Sequence, residues 1–279
     1  MKTKLFKIVA LTALLALTLP ALANEETVSR VFKTPAFQSI STSSGWDVVL
    51  TQGNEFSVRA EALQKHLDNL SIEVKNNTLY IKNKKQINFR FSFSTRNMRK
   101  QIFITLPELK SVSASGGSDV SATSTFKADN IQFSLSGGSD LKNFPLQCNE
   151  FDCRQSGGSD AVVSFLGVNK ITVTASGGSD VTLKNISAKS VSVGLSGGSD
   201  GKFTGKTDYF LVSASGGSDV DALELTAQAC KGGFSGGSDG TLSVEKELNI
   251  SATGGSDVRY KGNPSLQKSV DKSSSVKQM

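Results

Sequence analysis

The sequence predicts an all-β chain wound as a single-stranded parallel β-helix, a solenoid with about 20 residues per coil. Two observations carry that prediction. First, Ser115-Gly116-Gly117-Ser118-Asp119 returns at 136, 156, 176, 196, 215 and 235, and once more as Thr253-Gly254-Gly255-Ser256-Asp257. The motif aspartates therefore fall at 119, 140, 160, 180, 200, 219, 239 and 257, at a nearly constant step. Second, apolar residues alternate on both sides of the motif. Before it stand Ile131, Phe133, Leu135 in one unit and Val191, Val193, Leu195 in another; after it stand Val120 and Ala122, or Val181 and Leu183. Period two means strands with one buried face. Carried through the motif, this phase turns the first glycine and the second serine inward and the aspartate outward. The glycine pair supplies a corner, because glycine takes positive φ and lets backbones approach closely.

Residues 1–23 read as a signal peptide. Lys2, Lys4 and Lys7 form a basic start, an apolar run follows from Ile8 to Leu19, and Ala21-Leu22-Ala23 offers a small-residue cleavage site. The run is too short to span a bilayer. Residues 24–107 read as degenerate coils and hairpins. Ser43-Ser44-Gly45-Trp46-Asp47-Val48 aligns with the motif and its following valine, so Trp46 takes the inward serine position as a core plug. Val48 and Leu50, a Gly53-Asn54 turn, then Phe56, Val58 and Ala60 suggest one hairpin; Ile72 and Val74, Asn76-Asn77, then Leu79 and Ile81 suggest another. A turn or two of helix fits between Glu61 and Leu70. Ile87, Phe89, Phe91 and Phe93 alternate again, as do Ile102, Ile104 and Leu106. Residues 108–260 hold the regular coils. Residues 261–279 form a worn closing coil with Ser275 in the aspartate position, of the kind a solenoid needs to cover its open edge. No composition break divides 24–279, so one elongated domain is expected, its repeats making a rod of about 40 Å.

The formal charge of +6 falls to +3 without the three leader lysines, which argues for no particular partner. Three cysteines leave at least one unpaired. Cys153 and Cys230 both point inward but lie four coils apart, about 19 Å and beyond disulfide reach. All three read as core thiols, with Cys148–Cys153 as the one pair close enough to consider.

The leader, Val48-Val49-Leu50-Thr51-Gln52-Gly53, Phe56-Ser57-Val58, Leu79-Tyr80-Ile81, Leu106-Pro107-Glu108-Leu109, the iterated Ser-Gly-Gly-Ser-Asp coils and Tyr260-Lys261-Gly262-Asn263-Pro264 together resemble a bacterial family, the auto-transporter adhesins with a head GIN domain. The resemblance covers essentially the whole chain after the leader. It implies a right-handed parallel β-helix in an exported bacterial protein, and it brings no catalytic residues. No barrel-forming segment follows Asp257, so the chain is not expected to display itself unaided.

The single histidine, His66, lies in a polar stretch and excludes catalytic triads and multi-histidine zinc sites. Trp46 is the lone tryptophan, so a broad sugar-stacking surface is not expected. Stacked coils would place Asp119, Asp140, Asp160, Asp180, Asp200, Asp219, Asp239 and Asp257 in one column. Like charges at about 4.8 Å repel by about 0.9 kcal/mol per neighbouring pair even in water. Two arrangements would offset this: carboxylates that accept backbone N–H bonds at the Gly-Gly corner, or calcium ions that bridge coils. An enzyme acting on polysaccharide is disfavoured, because an active site would break the column at one place instead of repeating it. The basic residues Lys82, Lys84, Lys85, Arg90, Arg96, Arg99 and Lys100 lie in a run without acids, which guards edge strands or contacts an anionic glycan, lipopolysaccharide or, least favoured outside the cell, nucleic acid. The expected function is a non-catalytic, exported, adhesin-like module with an envelope glycan or protein as partner, no nucleic acid and no transmembrane span, in the periplasm or at the cell surface. The alternative is a structural, self-associating envelope protein.

Overall fold

The computed structural model describes residues 27–85 and 100–279. The leader, the Ile87-to-Phe93 alternation, Arg90, Arg96 and Arg99 lie outside the described residues. The described residues are 69% strand and 3% helix, and they form a β-solenoid of about eight turns about 20 residues apart. The amino-terminal elements are β1 (Thr27–Phe32), β2 (Ser39–Thr42), β3 (Asp47–Gln52), β4 (Ser57–Leu63), α1 (Gln64–Asn69), β5 (Leu70–Lys75), β6 (Thr78–Asn83) and β7 (Gln101–Leu106). The coils follow as β8 (Ser111–Ala114), β9 (Val120–Ala122), β10 (Phe126–Ser136), β11 (Leu141–Ser156), β12 (Ala161–Gly167) and β13 (Lys170–Ser176). The rest are β14 (Val181–Ser196), β15 (Gly201–Ser215), β16 (Val220–Ser235), β17 (Gly240–Thr253), β18 (Asp257–Lys261), β19 (Ser265–Val270) and β20 (Ser275–Gln278).

Each regular coil has two straight runs and two corners. The runs leading into the motifs pair in parallel, in the order β2, β8, β10, β11, β13, β14, β15, β16, β17, β19; these form the inbound sheet. The runs leaving the motifs stack as β3, β9, β11, β12, β14, β15, β16, β17, β18, β20; these form the outbound sheet. Long strands such as β14 round the second corner and belong to both. Between the sheets lies one continuous core, in which Val173, Val193 and Val212 stack in register as the alternation requires. Bulk is balanced across the core. Where Phe234 takes the position held by Ala214 one coil earlier, the facing residue is Gly240, whose Cβ would lie 2.5 Å from the Phe234 ring. Cys148, Cys153 and Cys230 are buried and free, and burial pushes each thiol up to about 12.

At the amino-terminal end, stack order departs from chain order. β5 and β6 form the expected antiparallel hairpin, with Asn76 and Asn77 at φ 49° and 59°. The expected β3–β4 hairpin does not form, because β7 lies between them, parallel to β3 and antiparallel to β4, with β1 beyond β4. β6 likewise sits outside β2. The coil built from β2 and β3 is thus flanked by β6 and β7 on one side and β8 and β9 on the other. Leu106–Lys110 must then cross over it. Gly53 N–H donates to Leu106 O, Lys110 N–H donates to Gln38 O, and Leu109 is fully buried beneath the crossing.

Candidate functional site

The motif corner is where backbone geometry forbids a regular ladder, and the motif side chains replace it. Both glycines of every copy have φ between 62° and 83°, which turns the chain without a strand pairing. The second serine is fully buried in all eight copies, as the alternation predicts. The first glycine does not point inward: two left-handed residues break the pleat, and both glycines are exposed. A Cβ on Gly177 would approach Gly157 N to 3.2 Å, whereas one on Gly198 would meet nothing.

Two side-chain ladders run through the stacked corners. In the first, the buried serine hydroxyl accepts the N–H of the serine one coil earlier, as in Ser159 N–H to Ser179 Oγ at 3.2 Å, and donates within its own corner, Ser179 Oγ to Ser176 O at 3.0 Å. In the second, an aspartate Oδ1 accepts the N–H of the aspartate one coil later, as in Asp160 N–H to Asp140 Oδ1 at 3.2 Å and Asp180 N–H to Asp160 Oδ1 at 3.1 Å. The donors come from the next coil and not from the carboxylate's own Gly-Gly corner. Trp46 and Asp47 join these ladders: Trp46 N–H donates to Ser118 Oγ, and Asp47 Oδ1 accepts Asp119 N–H. Ser44 and Gly45 take positive φ in place of the two glycines. At the other end, Ser274 Oγ accepts Ser256 N–H and Ser275 Oγ donates to Asp257 Oδ1 at 2.6 Å.

Electrostatics follow this geometry. Burial raises the Asp140 carboxyl; the Asp160 N–H works against it, and the charges of Asp119 and Asp160 add to the rise. Asp180 is raised for the same reasons, with Asp160 and Asp200 as its charged neighbours. Burial likewise raises Asp47. Lys142 lies 2.5 Å from Asp119 and 4.0 Å from Asp140, and its hydrogen bond to Asp119 holds its ammonium above the ordinary lysine range. Among the described residues, no group of three or more His, Cys, Asp or Glu side chains is placed to hold a metal ion.

The described part of the basic run is divided. Lys82, Lys84 and Lys85 are exposed, and Lys84 Nζ donates to Asp68 O at 2.8 Å. Lys100 instead supports the first corner. Its Nζ donates to Ser44 O at 2.5 Å and stands 5.6 Å from the centre of the Trp46 ring, and burial lowers its ammonium below the ordinary lysine range. His66 is half-buried on α1.

The second corner carries a feature that alternation alone does not reveal. A ridge of amides runs along it, with Asn149 Nδ2 donating to Asp129 Oδ1 at 3.1 Å and Asn169 Nδ2 to Asn149 Oδ1 at 3.0 Å. On the inbound side of this ridge is a groove of about 700 Å³. On the outbound side is one of about 590 Å³, bordered by Lys127, Gln147 and Cys148. Glu108 and Asp129 border both.

Comparison with known proteins places this architecture. Two overlapping stretches, residues 36–167 and 156–264, match the family described as putative auto-transporter adhesin, head GIN domain. The chain belongs to that family. A search of curated proteins finds no match. Among solved structures, a protein of Parabacteroides distasonis described as a putative lipid binding protein is similar at 18% identity, over 92% of this chain and 98% of that one, with a TM-score of 0.67. A putative adhesin from Parabacteroides merdae is similar at 15% identity, over 92% and 97%, with a TM-score of 0.67. A putative adhesin from Parabacteroides distasonis is similar at 19% identity, over 92% and 98%, with a TM-score of 0.66. At these identities the likeness is one of fold.

Proposed function

We propose that this GIN-domain chain is an exported, non-catalytic interaction module of the bacterial envelope. The observation that carries the reading is that its repeated polar groups are used internally. The motif serines and aspartates bond the neighbouring coil's backbone, so the conspicuous repeat is architecture and recognition is left to the outward side chains. Family membership supports a role in adhesion. The basic, apolar, small-residue start of the sequence supports export. Among the described residues no helix is long and apolar enough to cross a membrane. The test is protease added to intact cells that carry a tagged chromosomal copy. Loss of the protein with an intact periplasmic marker supports display to the outside. Full protection assigns the module to the periplasm and overturns a role in contact with other cells or surfaces.

A further inference from the structure

We infer that the inbound groove at the second corner is a binding site for a neutral, hydroxyl-rich oligosaccharide; this rests on the reading of the chain as an interaction module and names its ligand class. The groove is assembled from distant parts of the sequence. The segment crossing over the β2–β3 coil delivers Glu108 and Lys110 to its first rung, β10 and β11 supply the middle, and β13 closes it with Lys170 and Thr172.

Its chemistry selects among partners by elimination. Glu108, Asp129, Glu150 and Asp152 face Lys110, Arg154 and Lys170, which leaves one net negative charge and disfavours phosphate, uronate or nucleic acid. Ile131 and Phe151 are 2% and 1% exposed, so they offer no apolar floor to a lipid chain. β8, β10, β11 and β13 are each paired on both sides, so a peptide cannot add as a further strand. What remains is a series of acceptors beside donors. Glu108–Lys110 stand 3.8 Å apart, Glu150–Lys170 3.6 Å and Asp152–Arg154 2.9 Å. A sugar hydroxyl both donates and accepts, so a pair of adjacent hydroxyls can answer a carboxylate and its cation together. Asp152 takes part through one oxygen, since its Oδ2 accepts from Arg154 while its Oδ1 is buried. The volume of about 700 Å³ is in the range of small-ligand clefts. Among the described residues no exposed aromatic platform lines it, so affinity near the millimolar level is expected.

The test is a titration of the whole mature protein with three neutral hexasaccharides, of β-1,4-glucose, α-1,4-glucose and β-1,4-N-acetylglucosamine, read by amide chemical shifts. Hexagalacturonate and hexalysine serve as charged counter-probes. At least one neutral probe should shift amides in β8, β10, β11 and β13 with saturation by about 20 mM. The double variant E150Q/R154Q changes side chains more than half exposed, 56% and 57%. It removes one partner from each of two ion pairs, Glu150–Lys170 and Asp152–Arg154, so it should keep the parent spectrum elsewhere and weaken that binding at least about fivefold. No groove shifts with any neutral probe, or tighter binding of either charged probe at the groove, overturns the proposal. The outcome is independent of the intact-cell experiment. A groove that ignores sugars leaves an interaction module acting through another face, and a periplasmic location leaves the groove chemistry standing.

Discussion

Replacing Ser179 with alanine tests whether the buried serine ladder holds the corners together. Ser179 is fully buried. Its hydroxyl accepts Ser159 N–H at 3.2 Å and donates to Ser176 O at 3.0 Å. Alanine removes both, leaving a buried N–H and a part-buried carbonyl without these partners inside a corner that the sheet ladder does not serve. An orphaned buried donor costs about 1–3 kcal/mol, so a net loss of about 2 kcal/mol is expected after the small gain from losing the hydroxyl's own desolvation. In a domain of this size each 1 kcal/mol lowers Tm by about 2–4 °C, so the melt should move down by about 4–8 °C. The control is Ser176→Ala. That first motif serine is half-buried, with one long bond of 3.4 Å to Gln155 O, and its loss should stay within about 0.5 kcal/mol. The assay is thermal and urea denaturation followed by far-ultraviolet circular dichroism. Equal effects from both substitutions, or a Ser179→Ala protein melting within about 1 °C of the parent, would refute the claim that the inner serines replace the missing backbone ladder.

Val193, 2% exposed between Val173 and Val212, should lose several kcal/mol of stability as aspartate, about 3 or more, because an unpaired charge is buried; urea midpoints check this. Gly177→Ala and Gly178→Ala both force alanine into left-handed backbone at φ 73° and 77°, costing about 1–2 kcal/mol. Gly177→Ala should cost more, since only its Cβ presses on the adjacent coil, and comparison of the two melts decides. Asp140 and Asp180 are raised in the fold, so the native state holds their protons at pH values where the unfolded chain has released them. Stability from this source rises as pH falls through the raised values toward the ordinary carboxylate value, and D140N/D180N should flatten that rise in pH-dependent melts. Asp271 has the opposite sign: N–H donation from Gly254 helps hold it down at about 2, so what it contributes fades below the ordinary carboxylate value. Calcium at about 5 mM against chelator should leave Tm within about 1 °C, because among the described residues no group of three or more His, Cys, Asp or Glu side chains is placed to hold an ion.

The regular coils are legible in the sequence because period-two alternation is a local property. The inward serine, the plug at Trp46 and the closing role of Ser275 all follow from extending one phase along the chain. The same phase misplaces the first glycine, because it assumes extended backbone and two consecutive residues at positive φ cancel it. The β3–β4 hairpin fails for a different reason. Gly53-Asn54 is a sound turn signal, but it reports only that the chain reverses, not that β7 will later occupy the gap. One end of the groove is hidden from sequence because it depends on that same rearrangement, which carries Glu108 and Lys110 across the β2–β3 coil. The rest is within reach. Glu150 and Lys170 stand in register one period apart, and aligning the outward positions coil by coil pairs them.

The two ladders explain why the motif needs both a serine and an aspartate. Just after the two left-handed glycines, the amides of the motif serine and aspartate point toward opposite neighbouring coils, and one side chain cannot reach both. The buried serine takes the N–H arriving from the preceding coil, whereas the aspartate takes the N–H of the following coil, so hydrogen bonds run in opposite directions along the solenoid. From the Asp119 corner to the Asp219 corner, successive coils are locked together by both ladders, through groups that the sequence repeats. A side chain bonded in the same way from coil to coil presents the same group at each step of the stack. In the inbound sheet the outward position reads Ser111, Gln132, Asp152, Thr172, Ser192, Leu211, Lys231 and Asn249 along the stack. If the chain is the interaction module proposed above, this variation is what a ligand would read, and the ion pairs around Asp152 and Arg154 lie beside the groove proposed as its site.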